Sequence, residues 1–196
     1  MPSIGAHMVV AKEVAQKLHI QSDEFIKGNL LPDILDEVDS HHKMKSGIYL
    51  VPNIDAYLNH LDFCSEISIG YLTHLLLDKH YLEDYIAKKY PKKNVFLDGK
   101  IYQDYDIINS LLVDKFQLNV PKIEEILKRY DCKIVEEKLK YNIECLKQKK
   151  FGYPLYLNFE DFSRFLKDVS ETIRKELVDY ANKSYRLCVC LRQYQK

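Results

Sequence analysis

The chain has 196 residues, of which 46% are hydrophobic and 30% are charged, and its 29 basic residues balance its 29 acidic residues. This length and composition predict one globular domain over residues 1–196 and exclude an intrinsically disordered chain. The absence of net charge argues against a general nucleic-acid binder, although a local basic patch remains compatible with it.

The first half of the chain predicts helices separated by one long loop. Apolar residues recur at helical spacing over residues 4–19, with Ser3 as the N-cap. Ser22 caps a second helix, which we expect to stop at Pro32, and Gly28 inside it suggests close packing against another backbone. Residues 34–51 read as a long, mostly irregular loop, and a third helix is expected to start at Pro52.

The remaining elements also read as helices. The segment from about Ser65 to Lys89 is apolar around most of its circumference, so it is predicted to be the central, buried helix. Further helices are expected over residues 103–116, from Asn119 to near Tyr130, over 132–149 on the surface, and from Asn158 onward. No stretch shows the two-residue period of a strand, so the predicted fold is all-α, a compact domain of about seven or eight helices.

The scattered cysteines and the lack of a signal-peptide pattern predict a protein of a reducing compartment. The five cysteines are odd in number and scattered, unlike a disulfide framework. The N-terminus shows no signal-peptide pattern, and no apolar run approaches the about 20 residues that cross a bilayer. We therefore expect a cytoplasmic protein with reduced thiols and no transmembrane segment.

The central helix carries the first chemical signal. His74 and Asp78 stand one helical turn apart within the apolar run that begins at Gly70. A buried histidine and carboxylate need partners, because an unpaired buried polar group costs on the order of 2–7 kcal/mol. The simplest alternative is a buried histidine held by a hydrogen bond to the carboxylate.

The other histidines suggest where partners come from. All seven histidines fall between residues 7 and 80. Zinc favours histidine nitrogen and carboxylate oxygen, with close ligands on a rigid element and others from elsewhere in the chain. The distant ligands expected for His74 and Asp78 are His7, Asp33 and one of the loop histidines His41 and His42. His60 is better explained as a surface or core histidine of its helix, His80 is expected to point away from the His74 face, and His19 is expected on the surface.

Four segments resemble the zinc-dependent phospholipase C family. They are Ile4-Gly5-Ala6-His7, the run from Phe25 to Asp33, Ser40-His41-His42, and Gly70-Tyr71-Leu72-Thr73-His74 with Asp78. The family has the same order: an early histidine, a Gly-Asn-Pro-Asp type segment, a loop histidine and a His-x-x-x-Asp helix. Its fold is all-α, it hydrolyses phosphodiesters at a cluster of zinc ions, and related single-strand nucleases share the fold. The resemblance covers about residues 1–80.

The resemblance implies roles for the matched residues. Asp33, His41 or His42, His74 and Asp78 would form one metal site, and His7 would join a neighbouring ion that shares Asp78. Asp33 would be the catalytic residue, bridging metals or positioning the attacking water. The chain departs from the family in having no N-terminal Trp and no histidine after His80. We therefore expect one or two ions of zinc, or of another divalent metal, rather than three, with Glu83, Asp84, Asp104 and Asp106 as candidate substitute ligands.

The function implied is a metal-dependent phosphoesterase. A metal-activated water would attack a phosphodiester or phosphomonoester, so the partner is a small phosphate ester or a phospholipid-like substrate. Four lysines are candidates for attracting the phosphate: Lys43, Lys45, Lys92 and Lys93. The alternative is a binding or regulatory module without turnover, on the same fold with a reduced metal cluster. An unrelated phosphohydrolase of the His-Asp type is disfavoured, because the chain has no adjacent His-Asp dipeptide.

Overall fold

A computed structural model describes residues 2–35, 41, 43–60, 65–119 and 133–183. In these ranges the chain is mainly α-helical, which confirms the predicted fold class. The helices are α1 (Ile4–Lys17), α2 (Asp23–Ile34), α3 (Ile54–His60), α4 (Glu66–His80), α5 (Ala87–Lys89), α6 (Lys100–Phe116), α7 (Lys133–Lys147) and α8 (Phe159–Lys183). Among the described residues, no helix is both long enough and apolar enough to cross a membrane.

The central helix α4 is confirmed as the buried core of the molecule. Ser65 caps it by accepting a hydrogen bond from the backbone N–H of Ser68. The helix then runs on through a π-helical segment, Tyr81–Ile86, into the short helix α5. Every residue from Leu72 to Asp78 is buried, so any polar side chain there must find partners inside the protein.

Helices α2 and α4 cross at very close range. A Cβ atom placed on Gly28 would lie 2.0 Å from the carbonyl oxygen of Ile67, and one on Gly70 would lie 2.0 Å from that of Phe25. Both glycines are therefore required for the crossing, as the position of Gly28 inside a helix predicted. The crossing brings the backbone of α2 next to the polar face of α4.

Helix α2 does not stop at Pro32, and this prediction was wrong. The helix continues to Ile34, and the backbone N–H of Leu35 still bonds to the carbonyl of Leu31 at 2.9 Å. A proline so close to a helix end removes only one backbone hydrogen bond, so the last turn tolerates it. Asp33 consequently lies on a helical turn instead of in a loop.

The predicted irregular loop over residues 34–51 was also partly wrong. Strands β1 (Lys43–Ser46) and β2 (Tyr49–Pro52) form an antiparallel hairpin, with Gly47 at a φ of 59° in its turn. The hairpin forms because Tyr49 and Val51 are buried on one face while Leu50 between them is exposed. Helix α3 consequently begins at Ile54, two residues after the predicted start.

The second half of the chain closes the fold around α1 and α4. The predicted helices over 103–116 and 132–149 are confirmed as α6 and α7, and Asn158 caps α8 by accepting from the N–H of Asp161 at 3.0 Å. The helix predicted to end near Tyr130 falls in 120–132, outside the described residues. The organisation as one domain over residues 1–196 stays a prediction.

Candidate metal centre

The fold brings together five polar side chains from distant parts of the sequence. His7 lies in the first turns of α1, Asp33 in the last turn of α2, and His74 and Asp78 on α4. His41 lies just ahead of the hairpin. The three histidines and Asp78 are buried, and Asp33 keeps a side-chain exposure of 20%.

Two histidines and two carboxylates of this group approach one another closely. The Nε2 atom of His41 lies 3.5 Å from Asp33 Oδ1 and 3.6 Å from Asp78 Oδ2. The Nε2 atom of His74 lies 3.8 Å and 3.5 Å from the same two oxygens. Ligands held about 2.1 Å from a tetrahedral ion are about 3.4 Å apart. Each of these four distances is therefore close to the spacing of two ligands on one ion.

His7 approaches the opposite side of Asp78. Its Nε2 atom lies 3.4 Å from Asp78 Oδ1, whereas Oδ2 faces His41 and His74. The His7 ring stacks on the His74 ring with centroids 3.6 Å apart and planes at 7°. Two groups of residues are consequently close enough to hold a metal ion: His7, His74 and Asp78, and Asp33, His41 and His74.

The close crossing of α2 and α4 orients His74. Its Nδ1 atom lies 2.7 Å from the backbone carbonyl oxygen of Asn29, which can only accept a hydrogen bond. Nδ1 therefore carries the proton, and the lone pair on Nε2 points into the group. A second hydrogen bond of this kind is what holds metal-binding histidines in the correct tautomer.

Several buried atoms in the group lack the hydrogen bonds they need. Within the described ranges, no hydrogen-bond partner reaches either nitrogen of His7, Nε2 of His74 or either oxygen of Asp78. Each unsatisfied buried polar atom costs about 1–3 kcal/mol, more when it is charged. Cations bound in this group would satisfy Nε2 of His7, Nε2 of His74 and both carboxylate oxygens of Asp78. A hydrogen bond between His74 and Asp78 alone would leave the other buried atoms without a partner.

The charges of the group are strongly coupled. Burial alone would raise the pKa of Asp78, but His74 and His7 hold it well below its ordinary value. Burial opposes a charge on His74, yet the carboxylates of Asp33 and Asp78 raise the pKa of His74. Burial and the neighbouring His74 lower the pKa of His7. The site thus favours two ionised carboxylates with a positive charge between them, which either a proton on His74 or a metal ion can supply.

The remaining candidates for metal binding lie elsewhere. His42 and the side chain of His60 are outside the described residues, so His41 is the loop histidine that the structure brings to the group. His80 lies at the C-terminal end of α4, where it bonds to Asp84 at 2.7 Å and to Glu176 at 3.1 Å.

The four substitute ligands suggested by the sequence are each engaged elsewhere in the described structure. Glu83 accepts a hydrogen bond from Ser46 and Asp84 binds His80 and Lys88. Asp104 accepts three backbone N–H bonds from residues 155–157, and Asp106 pairs with Lys150.

A cavity of about 710 Å3 adjoins the group and opens to solvent. Asp33 lines it, and so does Lys43 of the hairpin. Most of its walls are apolar or aromatic, and the aromatic residues are Tyr49, Phe96, Tyr102, Tyr105 and Tyr141. Neither this cavity nor the hydrogen bond of His74 to the Asn29 carbonyl could be predicted from the sequence, because both arise from contacts between segments far apart in the chain.

Fold and site together define a mainly α-helical protein with a buried histidine and aspartate centre that can hold a metal ion beside an aromatic cavity. Comparison with known proteins adds no further identification, since no protein-family model, curated protein or solved structure matches the chain.

Proposed function

We propose that this protein is a zinc-dependent phosphoric ester hydrolase. The observation that carries the proposal is the set of donor atoms from Asp33, His41, His74 and Asp78, in which the Nε2 atom of each histidine lies 3.5–3.8 Å from an oxygen of both carboxylates. Two histidine nitrogens and two carboxylate oxygens are a donor set that zinc accepts readily. His7 and the second oxygen of Asp78 extend the set toward a second ion.

The residues around the centre suit ester hydrolysis. When bound, zinc supplies Lewis acidity, which lowers the pKa of a bound water and polarises a phosphoryl oxygen. Asp33 lies between the buried group and the open cavity, so its carboxylate can orient a water and accept a proton from it. Asn29 holds His74 in position, and Lys43 offers a positive charge to a phosphate within the same cavity.

The cavity favours a phosphate ester with an apolar or aromatic substituent. Its volume of about 710 Å3 falls in the range of small-molecule sites. Tyr102 and Tyr105 stand on its wall together with Phe96, where they can pack against a flat or aliphatic group. A purely inorganic or very polar substrate would leave these aromatic walls without a partner.

One observation favours a second candidate, a binding module without turnover. If Asp33, His41, His74 and Asp78 all bind the same ion, its four positions are filled, and closed four-coordinate zinc sites are structural. The two candidates therefore differ in whether Asp33 stays on the ion or leaves a position open for water.

Metal analysis of the purified protein tests the first part of the proposal. We expect at least one tightly held ion per chain in the natural protein and its loss in His74→Ala. His19→Asn is the matched control, because His19 is exposed, lies outside the group and has a left-handed backbone that Asn tolerates. A folded protein that takes up no zinc when zinc is supplied would overturn the proposal.

Turnover needs a separate measurement. We expect the zinc-loaded protein to hydrolyse p-nitrophenyl phosphate or bis-p-nitrophenyl phosphate, and the activity to disappear with a chelator and return with zinc. A tightly bound ion without hydrolysis of either ester, or of esters with larger apolar groups, would instead favour the binding module.

A further inference from the structure

Exposed aliphatic side chains and lysines share one surface next to the cavity. The surface combines the hairpin with the loop over residues 91–99. We call it the lysine–aliphatic face, and its members are Lys43, Lys45, Ile48, Leu50, Lys92 and Leu97. Most of these residues line one shallow depression, and Lys43, Ile48 and Leu50 also line the cavity that reaches Asp33.

The hairpin register puts these side chains on the outer side. Lys45 pairs with Leu50 across the two strands, and directly paired residues project to the same face of a sheet. The opposite face carries Tyr49 and Val51, which are buried against the core. Ile48 in the turn is 50% exposed and Leu50 is 59% exposed, so the aliphatic groups point into solvent.

The two segments of the face are tied together. The hydroxyl of Tyr49 donates to the backbone carbonyl of Lys93 at 2.8 Å, and the side chain of Asn94 donates to the carbonyl of Ile48 at 3.5 Å. The ring of Phe96 packs edge-on against Tyr49. Leu97, 85% exposed, is therefore presented by a supported loop beside the hairpin.

The charge of the face is positive, although the whole chain is neutral. In the described part of the chain, Lys43, Lys45 and Lys92 form no ion pair, whereas Lys149 and Lys150 pair with Asp114 and Asp106. Two acidic residues beside the face, among those that the structure describes, have other partners: Glu83 accepts from Ser46, and Asp98 lies against Tyr156 and Lys93. Three lysines thus keep their charge available for an anionic partner.

We propose that the lysine–aliphatic face docks this protein on an anionic lipid bilayer. Aliphatic side chains can enter the interfacial layer while lysines beside them reach lipid phosphates and carboxylates. A protein partner fits less well, because lysine is depleted in protein interfaces while Tyr, Trp and Arg are enriched. Docking in this way would turn the mouth of the cavity toward the membrane.

The proposal does not rest on the metal centre or on hydrolysis. The docking residues are exposed residues of the hairpin and the 91–99 loop, and none of them belongs to the centre, which consists of residues of α1, α2 and α4 together with His41 ahead of the hairpin. Vesicle binding measured in the presence of EDTA therefore tests the face by itself. Loss of vesicle binding in EDTA, with the circular dichroism spectrum unchanged, would overturn the proposal.

The test compares vesicles of phosphatidylcholine alone with vesicles that also contain phosphatidylserine, using the full chain and sedimentation as the readout. We expect binding to the anionic vesicles that weakens with added salt. Substituting Lys43→Gln, Lys45→Gln and Lys92→Gln together should weaken it on the order of 100-fold, given the typical contribution of a lysine near an anionic surface.

Matched variants separate surface docking from general charge and from misfolding. Lys167→Gln, Lys175→Gln and Lys183→Gln make the same charge change on exposed positions of α8, and we expect binding within about threefold of the natural protein. Ile48→Thr with Leu50→Thr keeps strand-compatible residues and should reduce binding at unchanged helix content. Equal affinity for neutral vesicles, or equal loss in the two lysine variants, would overturn the proposal and leave a protein partner as the occupant of this face.

Discussion

His74 and Asn29 are joined by a hydrogen bond of 2.7 Å between the imidazole Nδ1 and a backbone carbonyl. The contact exists because α2 and α4 cross at glycine positions, where no Cβ atom separates their backbones. It leaves the Nε2 lone pair of His74 directed at Asp33 and Asp78. Backbone packing, rather than another side chain, thus sets the geometry of the candidate centre.

The first prediction concerns Gly70. A methyl group at this position would lie 2.0 Å from the carbonyl oxygen of Phe25, so Gly70→Ala must push α2 and α4 apart. We expect a loss of roughly 1–3 kcal/mol or more in the free energy of unfolding, measured with urea, and weaker zinc binding because His74 shifts from Asn29.

Gly152→Ala is the matched control for Gly70→Ala. The added methyl would meet the end of the Ile107 side chain at 2.9 Å, which can rotate away, so stability and zinc affinity should change little. If Gly70→Ala lowered the stability but left zinc affinity unchanged, the crossing of α2 and α4 would not be what holds the metal ligands in place.

The sequence predicted the helical part of this arrangement well. Apolar periodicity identified α4 as the central helix, and Gly28 within a helical pattern predicted a close backbone contact. The positions of His7, Asp33, His74 and Asp78 in the chain also predicted the group that the fold assembles, through spacing on α4 and the order of the segments.

The errors have separate physical causes. The hairpin was missed because its strands are only four residues long and pair locally, so their alternation is too short to stand out. The helix end at Pro32 was misplaced because packing of α2 on α4 outweighs one lost hydrogen bond. The cavity beside Asp33 depends on contacts between α1, α6, α7 and the hairpin, which no local pattern encodes.

The second prediction concerns competition between protons and metal. Zinc needs the neutral form of His74, whose pKa Asp33 and Asp78 raise above the ordinary value of 6.5 against the effect of burial. As pH falls below that raised pKa, we expect apparent zinc affinity to fall at least about tenfold per pH unit, since each histidine ligand that takes up a proton adds to the slope. His7 does not add to this loss near neutral pH, because burial and His74 lower its pKa.

Competition titration with a chelator, repeated across the pH range, measures this effect. Calorimetry in buffers of different ionisation enthalpy should show at least about one proton released per ion bound on the acid side of the His74 pKa. Zinc affinity that is flat through pH 6.5 and below, after correction for the chelator, would contradict the assignment of His74 as a ligand.

The third prediction concerns Asp104, a buried carboxylate outside the centre. It accepts backbone N–H bonds from Leu155, Tyr156 and Leu157 at 2.8, 2.6 and 3.0 Å and so ties α6 to the segment before α8. Asp104→Asn replaces one accepting oxygen with an amide donor that faces N–H groups. We expect a loss of about 2–4 kcal/mol in the free energy of unfolding.

Zinc content provides the control for Asp104. Because the carboxylate makes no contact with the five residues of the centre in the described structure, the folded Asp104→Asn protein should bind zinc like the natural chain. Loss of zinc from a folded variant would show that Asp104 serves the centre and not only the packing of α6.

The last prediction separates the catalytic role proposed for Asp33 from simple metal binding. Asp33→Asn is nearly isosteric and affects a partly exposed side chain, with 20% exposure, so the fold should persist. His41, His74 and Asp78 still provide three ligands, which is the number typical of catalytic zinc sites. We therefore expect the variant to retain zinc with reduced affinity and to lose at least about 100-fold in kcat, because proton transfer by the carboxylate is gone.

Asp78→Asn, in contrast, removes the carboxylate that faces all three histidines and should abolish zinc binding outright. If Asp33→Asn instead turned over as fast as the natural protein, Asp33 would be a positioning or structural ligand, and the attacking water would have to be deprotonated by another group.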